Sequence, residues 1–299
     1  MRKYLIINIL TLLTVLVSCR EDIVIDIEEG SPMIGIEAKF TDEMKQHEVI
    51  VSYTADFYNS DEIPMVSGAK VCITDGVDSV FFTEDANNKG HYFSPVTAGK
   101  RNTSYTLLVD VPDEGEEDGF QHYFSESYLG DNVQQIDSLV MKPYSLITFT
   151  DDTILAIYPY FQMLDDPSVT YMLMISKNDT LVSDTLTDLT LIPTAGFAGY
   201  YLNGEEFLQQ NVEIAVAMYK KDELKIGDEI KIYFYNVPFE YMFYAYSLKL
   251  AMGSNPLLGT PSNVSSNIMP EGKAVGWFYA ASLVTKSIVW QGEDWTVSR

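Results

Sequence analysis

The chain has 299 residues, and its 43 acidic against 19 basic residues give a formal net charge of −24. So acidic a surface repels nucleic acid and anionic lipid headgroups alike, so neither is an expected partner. Apolar residues make up 46% and aromatics 13%, enough to build packed cores, and the length suits a leader followed by two domains of ordinary size.

Arg2 and Lys3 precede an apolar run, Tyr4 to Val17, that only Asn8, Thr11 and Thr14 interrupt. Crossing a bilayer takes about 20 apolar residues, so this run is too short to span and has the proportions of a secretory leader. It ends in "LVSC", Leu16 to Cys19, which resembles the lipobox of bacterial lipoproteins. A thiolate is the side chain best suited to take a diacylglyceryl group. Residues 1–18 are therefore expected to be a signal peptide and Cys19 the lipid-attachment residue. Each buried CH₂ contributes about 0.8 kcal/mol, and an acylated cysteine carrying more than one chain anchors stably. "RED" (Arg20 to Asp22) resembles the signal that sends lipoproteins of Bacteroidota to the outer face of the outer membrane. Residues 19–32 read as an acidic tether. With Cys19 acylated, Cys72 has no intrachain partner, and "AKVCIT" alternates like a strand, so it reads as a buried structural thiol.

From Met33 the text alternates with the period of strands: "MIGIEAKF", "HEVIVSYTADFY", "IPMVSGAKVCITDG", "DSVFFTED", "GHYFSPV" and "NTSYTLLVDVP". "TDG" reads as a turn, "ANNKG" as a hairpin loop and "DEGEEDG" (Asp113 to Gly119) as a charged loop tip. These runs predict an N-terminal sandwich over 33–136, of the immunoglobulin or transthyretin kind. A second β-rich domain is expected over 137–299. Its strands are "LITFT", "TILAIYPYFQML", "VTYMLMISKNDTLVSDTL", "NVEIAVAMYKK", "DEIKIYFYNV" and "AVGWFYAASLVTKSIVW". Between the last two, 239–252 follows Pro238 and carries Tyr241, Tyr244 or Ala245, and Leu248 at helical spacing. It is the one substantial helix expected. The fold class is thus mainly β: two sandwich-like domains, with one helix in the second.

Catalytic patterns do not assemble. His47, His91 and His122 are far apart, lie outside HExxH, and fall on strands or strand ends as surface or half-buried residues. No G-x-S-x-G elbow occurs. "SGAK" (Ser67 to Lys70) matches S-x-x-K, but it leads into a strand, where i and i+3 point to opposite faces. "DEGEED" offers hard oxygen ligands without the spacing of a calcium loop. No catalytic residue, metal or cofactor is therefore assigned.

Aromatic residues are the surplus. "GFAGYYLNGEEF" sets Phe197, Tyr200 and Tyr201 in a glycine-rich loop, either as anchors for a ligand or partner or as caps on the open end of a sandwich. Five Asp-Ser/Thr-aliphatic triplets resemble the O-glycosylation sequon of Bacteroidota, making Ser79, Ser138, Thr153, Thr180 and Thr185 candidate acceptors.

The order "GAKVCITDG", "SYTLLVDV", "IDSL", "GDEIKIYFYNVPFEYMFYAYSL" and "PSNVSSNIMPEGKAVGWFYAAS" resembles the domain-of-unknown-function 4249 family of Bacteroidota lipoproteins. The last motif carries most of the likeness, through Pro261, Asn263, Asn267, Gly272, Gly276 and Phe278. The family usually has a Gly-Gly pair where this chain reads Glu271-Gly272-Lys273. The resemblance implies an outer-membrane lipoprotein that assists nutrient binding or uptake beside a TonB-dependent receptor. "RED" adds the expectation that it faces the exterior, and the missing catalytic patterns the expectation that its role is non-enzymatic. The other reading is a structural or adhesive surface module.

Overall fold

The computed structural model describes residues 32–54, 63–130, 135–144, 153–182, 189–197, 199–204, 213–253 and 264–298. The leader, Cys19, Arg20 to Asp22, the strand expected at "LITFT", Thr185, Pro261 and Asn263 lie outside them.

The N-terminal strands are β1 (Ile34–Thr41), β2 (Glu48–Tyr53), β3 (Lys70–Thr74), β4 (Ser79–Glu84), β5 (His91–Phe93), β6 (Thr103–Pro112) and β7 (Phe120–Leu129). Each buries alternate residues. In β1 Ile34, Ile36, Ala38 and Phe40 face a core that Val49, Val51, Ile73, Leu107 and Val109 complete. "TDG" makes the β3–β4 turn, where Gly76 takes φ +84° and Asp75 Oδ1 accepts the N–H groups of Val77 and Asp78. "ANNKG" joins β4 to β5 as a hairpin, as its composition predicts.

The C-terminal strands are β8 (Ser138–Pro143), β9 (Ile154–Gln162), β10 (Val169–Lys177), β11 (Thr180–Leu181), β12 (Thr190–Pro193), β13 (Tyr201–Leu202), β14 (Ala217–Lys220) and β15 (Glu229–Pro238). Then come the helix α1 (Phe239–Gly253), the long strand β16 (Ala274–Val289) and β17 (Thr296–Ser298). A smaller sheet of β13, β9, β8, β17 and β14 encloses a second core with β10, β15 and the far half of β16. Phe161, Tyr171 and Phe234 meet there edge-on or tilted, with ring centroids 5.1–5.6 Å apart. Among the described residues the fold is mainly β with one α-helix, as the alternation predicts.

The larger sheet runs β11-β10-β15-β16-β1-β2-β5-β4-β3-β6-β7, and β16 is its hinge of topology. Ala274–Ala281 pair in parallel with β1, and Ser282–Val289 pair antiparallel with β15. One strand thus serves both cores. Pro32–Arg299 form one compact unit, and the expected boundary near Asp137 falls between β7 and β8 within it.

The first half of β16 has β1 on one edge only, and side chains pair its other edge. Asn267 Nδ2 donates to the Phe278 carbonyl (2.7 Å), and Phe278 N–H donates back to Asn267 Oδ1 (2.9 Å). Ser266 Oγ donates to the Gly276 carbonyl, and Ala280 N–H donates to Ser127 Oγ of β7. Buried backbone groups need partners, and here polar side chains replace a neighbouring strand. Gly276, at φ +111°, lies so close to Ile36 that a Cβ there would overlap its backbone. The motif that carries most of the resemblance thus has a structural role at Asn267, Gly276 and Phe278.

Candidate functional site

The outer face of β1 is polar: Glu37 and Lys39 alternate with the core-facing Ile36 and Ala38. Across the parallel pair Glu37 stands opposite Trp277 and Lys39 opposite Tyr279, and Glu37 faces Ile50 on β2. Opposed residues share a sheet face, so two aromatic rings and two opposite charges stand side by side.

The helix supplies the wall. Pro238 ends β15, and α1 folds back over the sheet. Tyr241, Tyr244, Ala245 and Leu248 pack inward, the face that helical spacing predicts, against Trp277, Tyr279 and Ala281. Tyr241 is the hub, with centroid distances of 4.8 Å to Tyr279, 5.7 Å to Tyr244 and 6.1 Å to Trp277. Tyr244 and Trp277 lie 5.3 Å apart.

Beside the helix, over β1, β2 and β5, lies a recess of about 430 Å³. Glu37, Lys39, Glu48 and Ile50 form its floor, Tyr241, Tyr244, Trp277 and Tyr279 its aromatic wall, and Lys45 and Gln46 its rim. His91 Nδ1 lies 2.6 Å from Glu48 Oε1 and fixes the floor's far margin. Lys45 is ion-paired with Glu43.

The recess has its own electrostatics. The Glu37 carboxyl opens to the recess yet is ringed by protein, and this desolvation raises its pKa above the ordinary value. Among the described residues nothing donates a hydrogen bond to it or pairs with it. Burial likewise holds the hydroxyls of Tyr241 and Tyr244 well above the phenol range, with the charge of Glu37 adding to the effect. Burial lowers the Lys39 pKa and Lys45 lowers it further, against the opposing pull of Glu43 and Glu48; its Nζ sits 5.4 Å from the Tyr235 ring centroid. Such an arrangement can hold and orient a ligand. Among the described residues the lining contains no Ser, Thr or Cys, and His47 Nε2 is taken up by the Thr97 carbonyl at 3.1 Å.

The residues singled out in the sequence lie elsewhere. Phe197 packs against the second core, and Tyr200, 40% exposed, leans on it with centroids 6.4 Å apart. Tyr201 donates its hydroxyl to Asp137 Oδ2 (2.6 Å), and its pKa is pushed up to about 12 by burial and then by that carboxylate. The loop is held by Asn203, fully buried, whose amide bonds the Pro159 and Ile214 carbonyls and the Ile214 N–H. Only Tyr200 of the three presents a ring to solvent in the manner of an anchor.

Ser79, Thr153 and Thr180 are exposed, and Ser138 is half-buried at the start of β8. The Asp113–Gly119 loop turns its carboxylates on itself: Asp113 Oδ1 accepts from Gly115 N–H and Asp118 Oδ1 from Phe120 N–H. No cluster of three metal-ligating side chains occurs among the described residues. His122 sits between Asp110 (2.7 Å) and Asp118 (2.9 Å), which raise its pKa in that order. His47 departs from the surface or half-buried position expected of it: it is 2% exposed, and its ring lies tilted against Phe40 with centroids 4.6 Å apart. Cys72 also departs, half-buried on the outer face of β3 between Phe81 and Leu108 in register, because Val71 and Ile73 take the core side.

Sequence reasoning missed the recess. A signal was available: Trp277 and Tyr279 alternate about Phe278, and the Glu37–Lys39 pair interrupts an apolar strand. Neither shows that α1 would stand over both.

These observations define a class: a mainly-β chain with two cores joined by one shared strand and a helix-walled aromatic recess on the sheet face. The model of the family described as Domain of unknown function (DUF4249) matches residues 20–287, and the chain belongs to that family. No curated protein matches it.

Proposed function

We propose that this chain is a non-enzymatic, lipid-anchored outer-membrane protein, facing the cell exterior, that binds a ligand beside a TonB-dependent receptor and so assists nutrient uptake. The observation that carries the binding role is the preformed recess beside α1. Ligand sites are concave and mostly apolar, with a few placed polar groups, and this recess has that composition. The address rests on the lipobox-like "LVSC" and on "RED", and the receptor on the resemblance to the family's lipoproteins. Exposed Ser79, Thr153 and Thr180 are candidate glycan acceptors on the outward surface.

The test is fractionation and affinity isolation of the native lipoprotein from its own membranes. The wild type is expected in the outer membrane, to be shaved from intact cells by protease, and to bring down a large β-barrel. Cys19→Ala is expected to leave that fraction. A Cys19→Ala protein that stays with the outer membrane overturns the anchor, and recovery of the wild type without a barrel overturns the receptor role. Product release from a glycan or peptide panel by purified protein overturns the non-enzymatic reading.

A further inference from the structure

We propose that the α1–β1 recess is a binding site for an organic ammonium group, with Glu37 as its counter-ion and the rings of Tyr241, Tyr244, Trp277 and Tyr279 as its wall. This inference deepens the binding role proposed above by naming the chemistry of the ligand.

The argument starts from an imbalance. The other charged groups of the recess are engaged: Glu48 with His91, Lys45 with Glu43, and Lys39 over the Tyr235 ring at 5.4 Å. Glu37 is exposed to the recess, and among the described residues no donor or cation is directed to it. Burial of its surroundings raises its pKa in the same sense. Among the described residues its counter-ion is thus absent, while the space for one is present.

The wall fixes which cation fits. The faces of aromatic rings carry negative potential and attract alkylammonium and quaternary ammonium groups, which shed water more readily than a metal ion does. Four rings linked by centroid contacts of 4.8–6.1 Å, three of them through Tyr241, make such a wall beside a single carboxylate. A divalent metal would need several hard oxygen ligands, and no cluster of three metal-ligating side chains occurs among the described residues. An anion would meet Glu37 and Glu48 on the floor, and the two lysines of the recess are engaged, Lys45 with Glu43 and Lys39 with the Tyr235 ring. The chain's net charge of −24 adds a general attraction for cations.

The test uses the full mature chain and two probes of equal shape: choline, and its neutral carbon isostere 3,3-dimethyl-1-butanol. Binding is followed by the indole signal of Trp277 in NMR, assigned with Trp277→Phe. Choline is expected to shift that signal saturably, and the isostere to bind at least tenfold more weakly. Glu37→Gln, which keeps shape and removes charge, is expected to weaken choline at least tenfold with an unchanged melting temperature. Tyr244→Leu removes a ring and could disturb α1, so Glu37→Gln is the deciding variant. Equal binding of choline and its isostere, unchanged choline affinity in Glu37→Gln, or no shift with choline up to 100-fold above a millimolar range (an order-of-magnitude ceiling for a weak single-group ligand) overturns the proposal. Each of these failures leaves the fractionation and barrel-recovery results standing, so the two readings fail separately.

Discussion

Asn267→Ala probes the feature on which both cores depend, the edge of β16. The substitution removes two hydrogen bonds of 2.7 and 2.9 Å and strips the Phe278 C=O and N–H of their partners. Phe278 is fully buried in the first core, so its strand cannot move outward to find water without losing that packing. Leaving a buried backbone group unsatisfied costs about 1–3 kcal/mol. Asn267 is itself half-buried and water can enter part of the gap, so the lower end applies to each group. The expected loss is about 2–3 kcal/mol, or a fall of roughly 5–10 °C in melting temperature for a chain of this size. Urea denaturation and thermal melts of the wild type and the variant measure it. Asn267→Asp adds a sharper form of the test. It keeps the acceptor for Phe278 N–H and sets a carboxylate against the Phe278 carbonyl, so at neutral pH it is expected to be at least as damaging as alanine. Below the carboxyl pKa the protonated side chain donates again, and part of the loss is recovered. An Asn267→Ala protein that melts within about 1 °C of wild type refutes the reasoning, since a 1 kcal/mol loss alone shifts the midpoint by more than that.

Gly276→Ala is expected to abolish the folded state, because its Cβ meets the Ile36 backbone at φ +111°, where neither strand can yield without breaking the β1–β16 pairing; soluble yield and far-UV CD check it. Acid stability depends on Asp228, whose pKa is held well below the carboxylate range by Asn178, the Lys225 N–H and Lys177. Its contribution is therefore complete above the unfolded carboxyl pKa of about 4 and is lost as pH falls through the folded pKa. Urea midpoints from pH 7 to pH 2 should fall less steeply in Asp228→Asn than in wild type, and parallel slopes would contradict this. In the aromatic loop, Phe197→Ala is expected to cost about 2 kcal/mol as a partly buried ring, while Tyr200→Ala stays within about 1 kcal/mol; equal losses in denaturant melts would contradict their different packing.

The sequence by itself determined the local structure. Alternation in "MIGIEAKF" or "SYTLLVDV" is set by which face of a pleated strand meets water, and that information sits within a few residues. The helix was legible for the same reason, since Tyr241, Tyr244, Ala245 and Leu248 fall on one face at 3.6 residues per turn. Pairing was not legible. That Ala274–Ala281 lie in parallel against β1, some 240 residues earlier in the chain, follows from long-range register, which periodicity leaves open. The recess follows from that pairing, because only the Glu37–Trp277 and Lys39–Tyr279 registers bring charge and rings onto one face beneath α1. The loop aromatics show the same division. Composition marks Phe197, Tyr200 and Tyr201 as rings on glycine hinges, but the second core decides that Phe197 packs inward, and Asp137 decides what Tyr201 touches. Even the motif at Asn267 and Phe278 reads as a pattern in the sequence and becomes a pair of hydrogen bonds only where the edge of β16 would otherwise stand without a strand beside it.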